Sequence, residues 1–285
     1  MIGSIVYGDG LRPKLDGIRL QRVRGPHGWM RLLSAGDADG QHALLIHGTP
    51  GNASGWSRIL ASAPVGMHLA AIDRPGFGDS EPKHAVPSLR EQASALLPVL
   101  ERSRAPVILV GHSLGAPIAC TAAVMWPELI AGLLLVSGAM DPGLERLRWY
   151  NRACRAAGPL VGRSLRNSNH EIWDLRSELE ALRPLLPEIR CTVSLLHGTQ
   201  DRLAPIANVD YTIPLLTGSE SIRRVDLPGV GHFVPWQRQV ALTQEFLSLA
   251  QHCRSDSVPG RYESASVDPP SVTQSLPHFG VPAEP

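Results

Sequence analysis

A serine flanked by glycines is the feature of the sequence with the clearest chemistry. Gly111-His112-Ser113-Leu114-Gly115 has G-x-S-x-G spacing and lies between an apolar run that predicts a strand and a pattern that predicts a helix. A serine exposed at so sharp a turn is crowded by the residues two before and two after it, so these must be small. Gly111 and Gly115 meet that requirement, which predicts that Ser113 is a nucleophile.

Ser113 needs two partners, because a serine hydroxyl is a weak nucleophile at neutral pH. It requires a base that removes its proton and an acid that orients the base. His232 follows the last predicted strand, in a loop where Gly229 and Gly231 allow the imidazole to point back at the sheet edge. Asp201 follows an apolar strand that ends in a turn. We therefore predict His232 as the base and Asp201 as the acid.

A third requirement is a set of donors for the negative charge that develops on the carbonyl oxygen during acyl transfer. Backbone N–H groups that already face this oxygen stabilise the transition state. Residues 47–52, His-Gly-Thr-Pro-Gly-Asn, follow an apolar strand and can turn tightly beside a ligand. We predict that the N–H groups of Thr49 and Leu114 form this oxyanion hole.

The elements that must position these residues alternate along the chain. Strands are predicted at residues 18–23, 29–34, 42–47, 67–73, 106–111, 130–137, 192–197 and 222–227, and helices at 53–61, 88–101, 114–126, 206–216 and 238–251. This alternation predicts crossover connections and a mostly parallel sheet. Residues 140–190 read as an inserted helical subdomain, and residues 254–285, rich in Ser, Pro and Val, as an unstructured tail.

These segments together resemble the α/β-hydrolase fold superfamily of the serine-hydrolase type, and are similar to its esterase and lipase-like members. HGTPGN, AIDRPGFGDS, GHSLG, GTQD and GVGH occur in the family's order. The resemblance implies an α/β-hydrolase fold with a mostly parallel eight-stranded sheet flanked by helices. It divides the core between residues 1–139 and 191–253, with a helical cap or lid at 140–190 after the sixth strand and the tail at 254–285. The order Ser113, Asp201, His232 is the family's order for a catalytic triad.

Two assignments stay open at this point. Some members of the family carry the acid at the end of the sixth strand, where Asp141 lies in this chain, so Asp141 is the alternative acid. Four aromatic residues are candidates for an apolar acyl pocket under the cap, although structural packing would explain them equally well. They are Trp149, Tyr150, Trp173 and Trp236.

Composition narrows the classes of partner. The 27 Lys and Arg residues nearly balance the 26 Asp and Glu residues, which argues against binding to nucleic acid. No apolar run approaches the roughly 18 residues that span a bilayer, and no signal peptide is indicated, so we expect a cytoplasmic protein. Four dispersed cysteines and the lack of an H-E-x-x-H motif argue against a metal site, and no cofactor is implied. The sequence does not specify an oligomeric state.

The resulting expectation is a cofactor-independent serine hydrolase for small or medium carboxylic esters or thioesters, working through an acyl-enzyme. The same triad serves C–C bond hydrolases, lactonases, acyltransferases and perhydrolases, which remain alternatives. A non-catalytic binding protein on a hydrolase scaffold is the alternative of another class. The complete set of catalytic parts favours the enzyme.

Overall fold

The structure is a computed structural model that describes residues 17–253 and 261–266. Its strands are β1 (Arg19–Gly25), β2 (Gly28–Gly36), β3 (Gln41–Ile46), β4 (Met67–Ile72), β5 (Val107–His112), β6 (Ile130–Val136), β7 (Thr192–Gly198), β8 (Ser221–Leu227) and β9 (Arg261–Ser266). They form one sheet in the order β1-β2-β4-β3-β5-β6-β7-β8-β9. β2 pairs antiparallel with β1 and β4, and the neighbours from β4 to β9 pair in parallel. The carboxyl ends of these parallel strands therefore meet at one edge, where the predicted site residues follow them.

Helices connect the parallel strands, as the crossover pattern predicts. They are α1 (Ser57–Ala61), α2 (Leu89–Ser94), α3 (Leu97–Leu100), α4 (Gly115–Met125), α5 (Trp149–Ala157), α6 (Arg163–Leu182), α7 (Ala207–Thr212), α8 (Val234–Gln237) and α9 (Gln239–His252). Short 3-10 turns lie at Ala53–Trp56, Pro127–Leu129, Gly158–Leu160, Arg183–Glu188 and Ile213–Leu215.

Both faces of the sheet are covered by apolar packing. Leu44 and Ile46 of β3 belong to one buried cluster, whereas Ala43 and Leu45 belong to another. Successive side chains of a strand point to opposite faces, so the two clusters lie on opposite sides of the sheet. Burial on both faces is the reason why the central strands read as continuous apolar runs.

The helix predicted at residues 88–101 is two helices in the structure. The Ser88 hydroxyl accepts a hydrogen bond from the Glu91 N–H at 3.4 Å and begins α2. α2 ends at Ser94, and Pro98 lies in the first turn of α3, where its missing N–H is not needed. Pro98 therefore begins a second helix.

The chain between β6 and β7 forms helices and no strand among the described residues. It contains α5 and α6, and we call this segment the helical insertion. Leu175, Leu179 and Leu182 of α6 are buried in the same cluster as the core. The insertion therefore packs on the sheet's own core.

The predicted unstructured tail needs one correction. Residues 261–266 form β9, which pairs in parallel with β8, so the sheet gains a strand beyond the expected eight. The exposed edge of β8 offers unpaired backbone donors and acceptors, which a segment without an apolar pattern can pair with. The rest of that tail, residues 254–260 and 267–285, lies outside the described residues, as do residues 1–16.

Candidate active site

The turn between β5 and α4 carries Ser113 in a strained conformation. Its φ is +55°, in the left-handed region that residues other than glycine rarely adopt. The Ser113 N–H donates to the Val136 carbonyl at 3.0 Å. A Cβ on Gly111 would lie 2.3 Å from the Gly115 oxygen, and one on Gly115 would lie 2.3 Å from the Ile46 oxygen. Both positions therefore accept only glycine, as the crowding argument requires.

His232 and Asp201 are in direct contact. His232 Nδ1 lies 2.7 Å from Asp201 Oδ2, with both side chains almost fully buried. Asp201 lies just after β7 and His232 just after β8, so the pairing of these two strands brings the loops together. An ionised carboxylate accepts hydrogen bonds, so Nδ1 carries the proton and Nε2 is left to act as a base.

Asp201 remains ionised although it is buried. Burial by itself raises the pKa of this carboxyl, but hydrogen bonds from His197 and His232 and the backbone N–H of Ala204 outweigh that effect. The net result is a pKa below the usual range of an aspartate. The Leu203 and Ala204 N–H groups both donate to Oδ1 at 2.9 Å. The carboxylate is therefore held in one orientation, with Oδ2 turned to His232.

Within the described residues, no hydrogen bond joins Ser113 to His232 in this conformation. His112, which precedes Ser113, has its ring centroid 4.9 Å from that of His232 and its Nε2 3.0 Å from the His232 carbonyl oxygen. His112 thus holds the backbone of His232 next to the residue that precedes Ser113. Hydrogen bonds between catalytic groups are often long or absent without substrate and tighten when it binds.

The predicted oxyanion donors lie on either side of Ser113. Leu114 caps the N-terminus of α4, whose dipole favours negative charge at that point. Thr49 follows Gly48, and a Cβ on Gly48 would lie only 2.7 Å from the Ser113 Cβ. Among the described residues, the N–H groups of Thr49 and Leu114 have no hydrogen-bond acceptor. Both donors are therefore free to bind a substrate oxygen.

Asp141, the alternative acid, is engaged elsewhere. Its Oδ1 accepts a hydrogen bond from the Gly143 N–H at 2.8 Å, and its own N–H donates to Asn208 Oδ1 at 2.9 Å. Within the described part of the chain, the carboxylate that contacts His232 is Asp201. The geometry therefore favours Asp201 as the orienting group.

The four predicted pocket aromatics do not share one pocket, which is a correction. Trp149 is 79% exposed and Tyr150 45% exposed, and the Trp173 ring packs against the Arg155 guanidinium. α5 buries Asn151 against α6, through a hydrogen bond to Asn169, and so turns Trp149 outward.

Trp236 is the member of that set that reaches the site. Its ring centroid lies 5.3 Å from that of His112 and 5.9 Å from that of Phe233. Phe233 also packs edge-on against His232, with centroids 5.6 Å apart. Phe233 and Trp236 thus form an apolar border beside His232.

Three further side chains, which are not among the predicted site residues, hold these loops. His197 Nε2 lies 2.7 Å from the Ala204 oxygen and 3.5 Å from Asp201 Oδ2. Arg74 and Glu171 form a buried ion pair beneath the 47–52 loop. His197 had a signal, because it is the penultimate residue of β7 and lies four residues before Asp201. The Arg74–Glu171 contact joins residues 97 positions apart and had none.

No group of three or more His, Cys, Asp or Glu side chains in the described part of the chain is arranged to hold a metal ion. No helix there is long and apolar enough to cross a membrane.

The matching family model and two relatives that this chain resembles are hydrolases by name. A model of the Alpha/beta hydrolase family matches residues 43–245. A pimeloyl-(acyl-carrier protein) methyl ester esterase of Methylococcus capsulatus is 30% identical over 246 residues, covering 73% of this chain and 95% of the relative. A 2-hydroxy-6-oxononadienedioate/2-hydroxy-6-oxononatrienedioate hydrolase of a Pseudomonas species is 24% identical over 266 residues, covering 78% and 92%.

Solved structures agree on the fold. A serine hydrolase of the polyaromatic-hydrocarbon-degrading bacterium Cycloclasticus zankles superposes with a TM-score of 0.67 at 17% identity, over 84% of this chain and all of the other. At that identity the likeness concerns the fold alone.

Proposed function

Since the chain belongs to the alpha/beta hydrolase family, we propose that it is a serine hydrolase that cleaves carboxylic esters or thioesters of small to medium size. The contact of 2.7 Å between His232 and Asp201, beside the strained turn at Ser113, is the observation that carries this proposal. The 30% identical relative that is named a methyl ester esterase supports an ester substrate.

The proposed reaction has two halves. His232 Nε2 takes the proton from Ser113 Oγ, which attacks the carbonyl carbon, and the oxyanion accepts hydrogen bonds from the Thr49 and Leu114 N–H groups. As the tetrahedral intermediate collapses, His232 gives its proton to the leaving alcohol or thiol. His232 then activates a water molecule, which hydrolyses the ester bond to Ser113 and releases the acid. None of these steps uses a cofactor.

Replacement of the nucleophile tests the proposal directly. We expect Ser113→Ala to lower kcat/KM for p-nitrophenyl acetate by at least about 10⁴-fold, because the hydroxyl that forms the acyl-enzyme is gone. Ser137→Ala is the matched control, since Ser137 also directly follows a strand at positive φ and is fully buried. Circular dichroism establishes that both variants fold. Undiminished hydrolysis by folded Ser113→Ala would refute the assignment of the nucleophile.

Covalent labelling separates an enzyme from a binding protein on the same scaffold. An activated serine reacts with a fluorophosphonate probe, and we expect mass spectrometry to locate the adduct on Ser113. Folded protein that stays unlabelled would favour the non-catalytic alternative.

A C–C bond hydrolase is the second candidate, because one relative is named a 2-hydroxy-6-oxononadienedioate hydrolase. The substrate in that name carries a ketone carbonyl, which the same nucleophile could attack with the same oxyanion donors. Side-by-side turnover of esters, thioesters, lactones and such ring-cleavage diketones distinguishes the two. Preference for the diketone by a factor of ten or more in kcat/KM, about 1.4 kcal/mol in transition-state binding, would move the assignment to the second candidate.

A further inference from the structure

Arg74 is a buried cation that links three parts of the molecule. Its side chain has no exposed surface. Nε donates to the His47 carbonyl at 2.9 Å, and Nη2 donates to the Gly48 carbonyl at 3.0 Å. Nη1 and Nη2 donate to the two carboxylate oxygens of Glu171 at 2.7 and 3.1 Å. Arg74 follows β4 and Glu171 lies on α6, so the guanidinium joins the 47–52 loop to the helical insertion.

The Gly48 carbonyl receives a second donor from the ring of His47. The Arg74 backbone N–H donates to His47 Nε2 at 3.1 Å, so the proton of the neutral ring is on Nδ1. Burial first, and then the charge of Arg74, lower the pKa of His47 well below its usual value, which keeps the ring neutral. Nδ1 lies 2.7 Å from the Gly48 oxygen and donates to it. Both lone pairs of this oxygen are therefore occupied.

These two bonds fix the direction of the next N–H group. The carbonyl of Gly48 and the N–H of Thr49 belong to one planar trans peptide unit, in which they point in opposite directions. Holding the oxygen toward Arg74 and His47 thus turns the Thr49 N–H away from them. Gly48 lies next to Ser113, because a Cβ on it would be 3.3 Å from Ser113 Oγ. The peptide unit that Arg74 holds is therefore the one beside the reacting atoms.

We propose that Arg74 and Glu171 are positioning residues that aim the Thr49 amide at the oxyanion, so that the helical insertion helps to assemble the oxyanion hole. The inference rests on the proposed function. Glu171 fixes the guanidinium, the guanidinium fixes the Gly48 carbonyl, and the carbonyl fixes the Thr49 N–H. Gln92 Nε2 donates to Glu171 Oε1 at 3.2 Å and completes the support of the carboxylate.

Stability alone is a poor account of this pair. A buried ion pair gains little over well-packed apolar side chains of similar volume, because both charges must be removed from water. Loss of one partner leaves an unpaired buried charge, which by itself is destabilising. A test must therefore separate the geometry of the loop from the stability of the fold.

The experiment uses two variants and one matched control. Glu171→Gln keeps the shape of the side chain and removes its charge, whereas the double variant Arg74→Met/Glu171→Leu replaces the pair by apolar side chains of similar length. Glu178→Gln is the control. Glu178 lies two turns further along α6 and also contacts the core, but its Oε2 accepts from the Leu89 N–H at 2.7 Å and does not contact the 47–52 loop.

We expect the double variant to fold and to lose about 10- to 100-fold in kcat for p-nitrophenyl esters, with KM within about twofold of the wild type. Removal of an entire oxyanion donor typically costs about 10²- to 10³-fold, so a mis-aimed donor should cost somewhat less. Affinity for phenylboronic acid, whose tetrahedral adduct with a serine resembles the oxyanion, should fall in parallel with kcat. Glu171→Gln should show the same kind of loss, whereas Glu178→Gln should change kcat by less than about threefold.

Each result has a defined consequence. Wild-type kcat and boronic acid affinity in the folded double variant, or in folded Glu171→Gln, would overturn the positioning role while leaving the hydrolase intact. An equal loss in Glu178→Gln would also overturn it, because the effect would then be a general one of α6. Wild-type protein that neither hydrolyses esters nor reacts with a fluorophosphonate would overturn the proposed function, and the positioning role with it.

Discussion

At the scale of single residues, the loop that follows β7 surrounds one carboxylate with donors. The N–H of His197 Nε2 points at the Ala204 oxygen at 2.7 Å, and the same atom is 3.5 Å from Asp201 Oδ2. One N–H is thus shared between two acceptors, while His232 Nδ1 donates to Oδ2 at 2.7 Å. Asp201 accepts hydrogen bonds from these donors, whereas Asp141 is hydrogen-bonded within the loop that follows β6.

The choice between the two acids is testable by matched substitutions. We expect Asp201→Asn to lower kcat for p-nitrophenyl acetate by about 10⁴-fold, because an amide stabilises neither the required tautomer nor the imidazolium. Asp141→Asn should stay within about threefold of the wild type, since Asp141 does not contact His232. Steady-state kinetics of both folded variants measures the difference. A larger loss in Asp141→Asn than in Asp201→Asn would reverse the assignment.

At the scale of elements, the site depends on how tightly the carboxyl ends of three strands approach one another. β5 lies between β3 and β6, and the first residue of α4 touches the end of β3. The Ser113 N–H donates to Val136 of β6, which holds the turn from the other side. The turn at Ser113 is thus fixed by its neighbours on both sides, and its strain is maintained by the sheet.

Added volume at this turn should therefore be costly. We expect Gly115→Ala to lower the free energy of unfolding by about 2 kcal/mol or more, because its Cβ would overlap the Ile46 oxygen and backbone must move. Gly162→Ala is the control, because Gly162 precedes α6 at negative φ and a Cβ there meets nothing within 4 Å. Urea unfolding of both variants measures the change. Equal midpoints for the two variants would contradict the close approach of α4 to β3.

At the scale of the whole molecule, the site costs stability in acid because it buries histidines in the neutral form. His112 is only 4% exposed, and burial, followed by the nearby His232, lowers its pKa to about 3. In the unfolded chain a histidine titrates near 6.5. Between these two values the unfolded state binds more protons, so the stability is complete above pH 6.5 and is lost as the pH falls toward 3. His47 acts in the same direction.

The contribution of His112 can be isolated by substitution. From pH 7.5 to 5.0 the wild type should lose about 2 kcal/mol of unfolding free energy through His112, given a shift from about 6.5 to about 3. His112→Gln does not titrate, so its loss over the same interval should be smaller by that amount. Urea unfolding at the two pH values provides the comparison. The same pH dependence in both proteins would show that His112 is not buried in the neutral form.

The local features of this site were available from the sequence. The glycines at positions 111 and 115 reflect crowding within five residues, and the strand ends that carry Asp201 and His232 follow from short apolar runs. The ends of the predicted strands therefore lie within two residues of the observed ones. Such features depend on contacts between near neighbours along the chain, which a sequence pattern records directly.

The tertiary structure alone decided which distant residues meet. Arg74 reaches Glu171 across 97 positions, β9 pairs with β8 without any apolar pattern of its own, and α5 turns Trp149 to solvent because it buries a polar Asn151. An amphipathic pattern shows which face of a helix is apolar. It does not show which other element of the fold packs against that face. The sequence thus determined the chemical groups and their order along the chain, and packing determined what holds them in place.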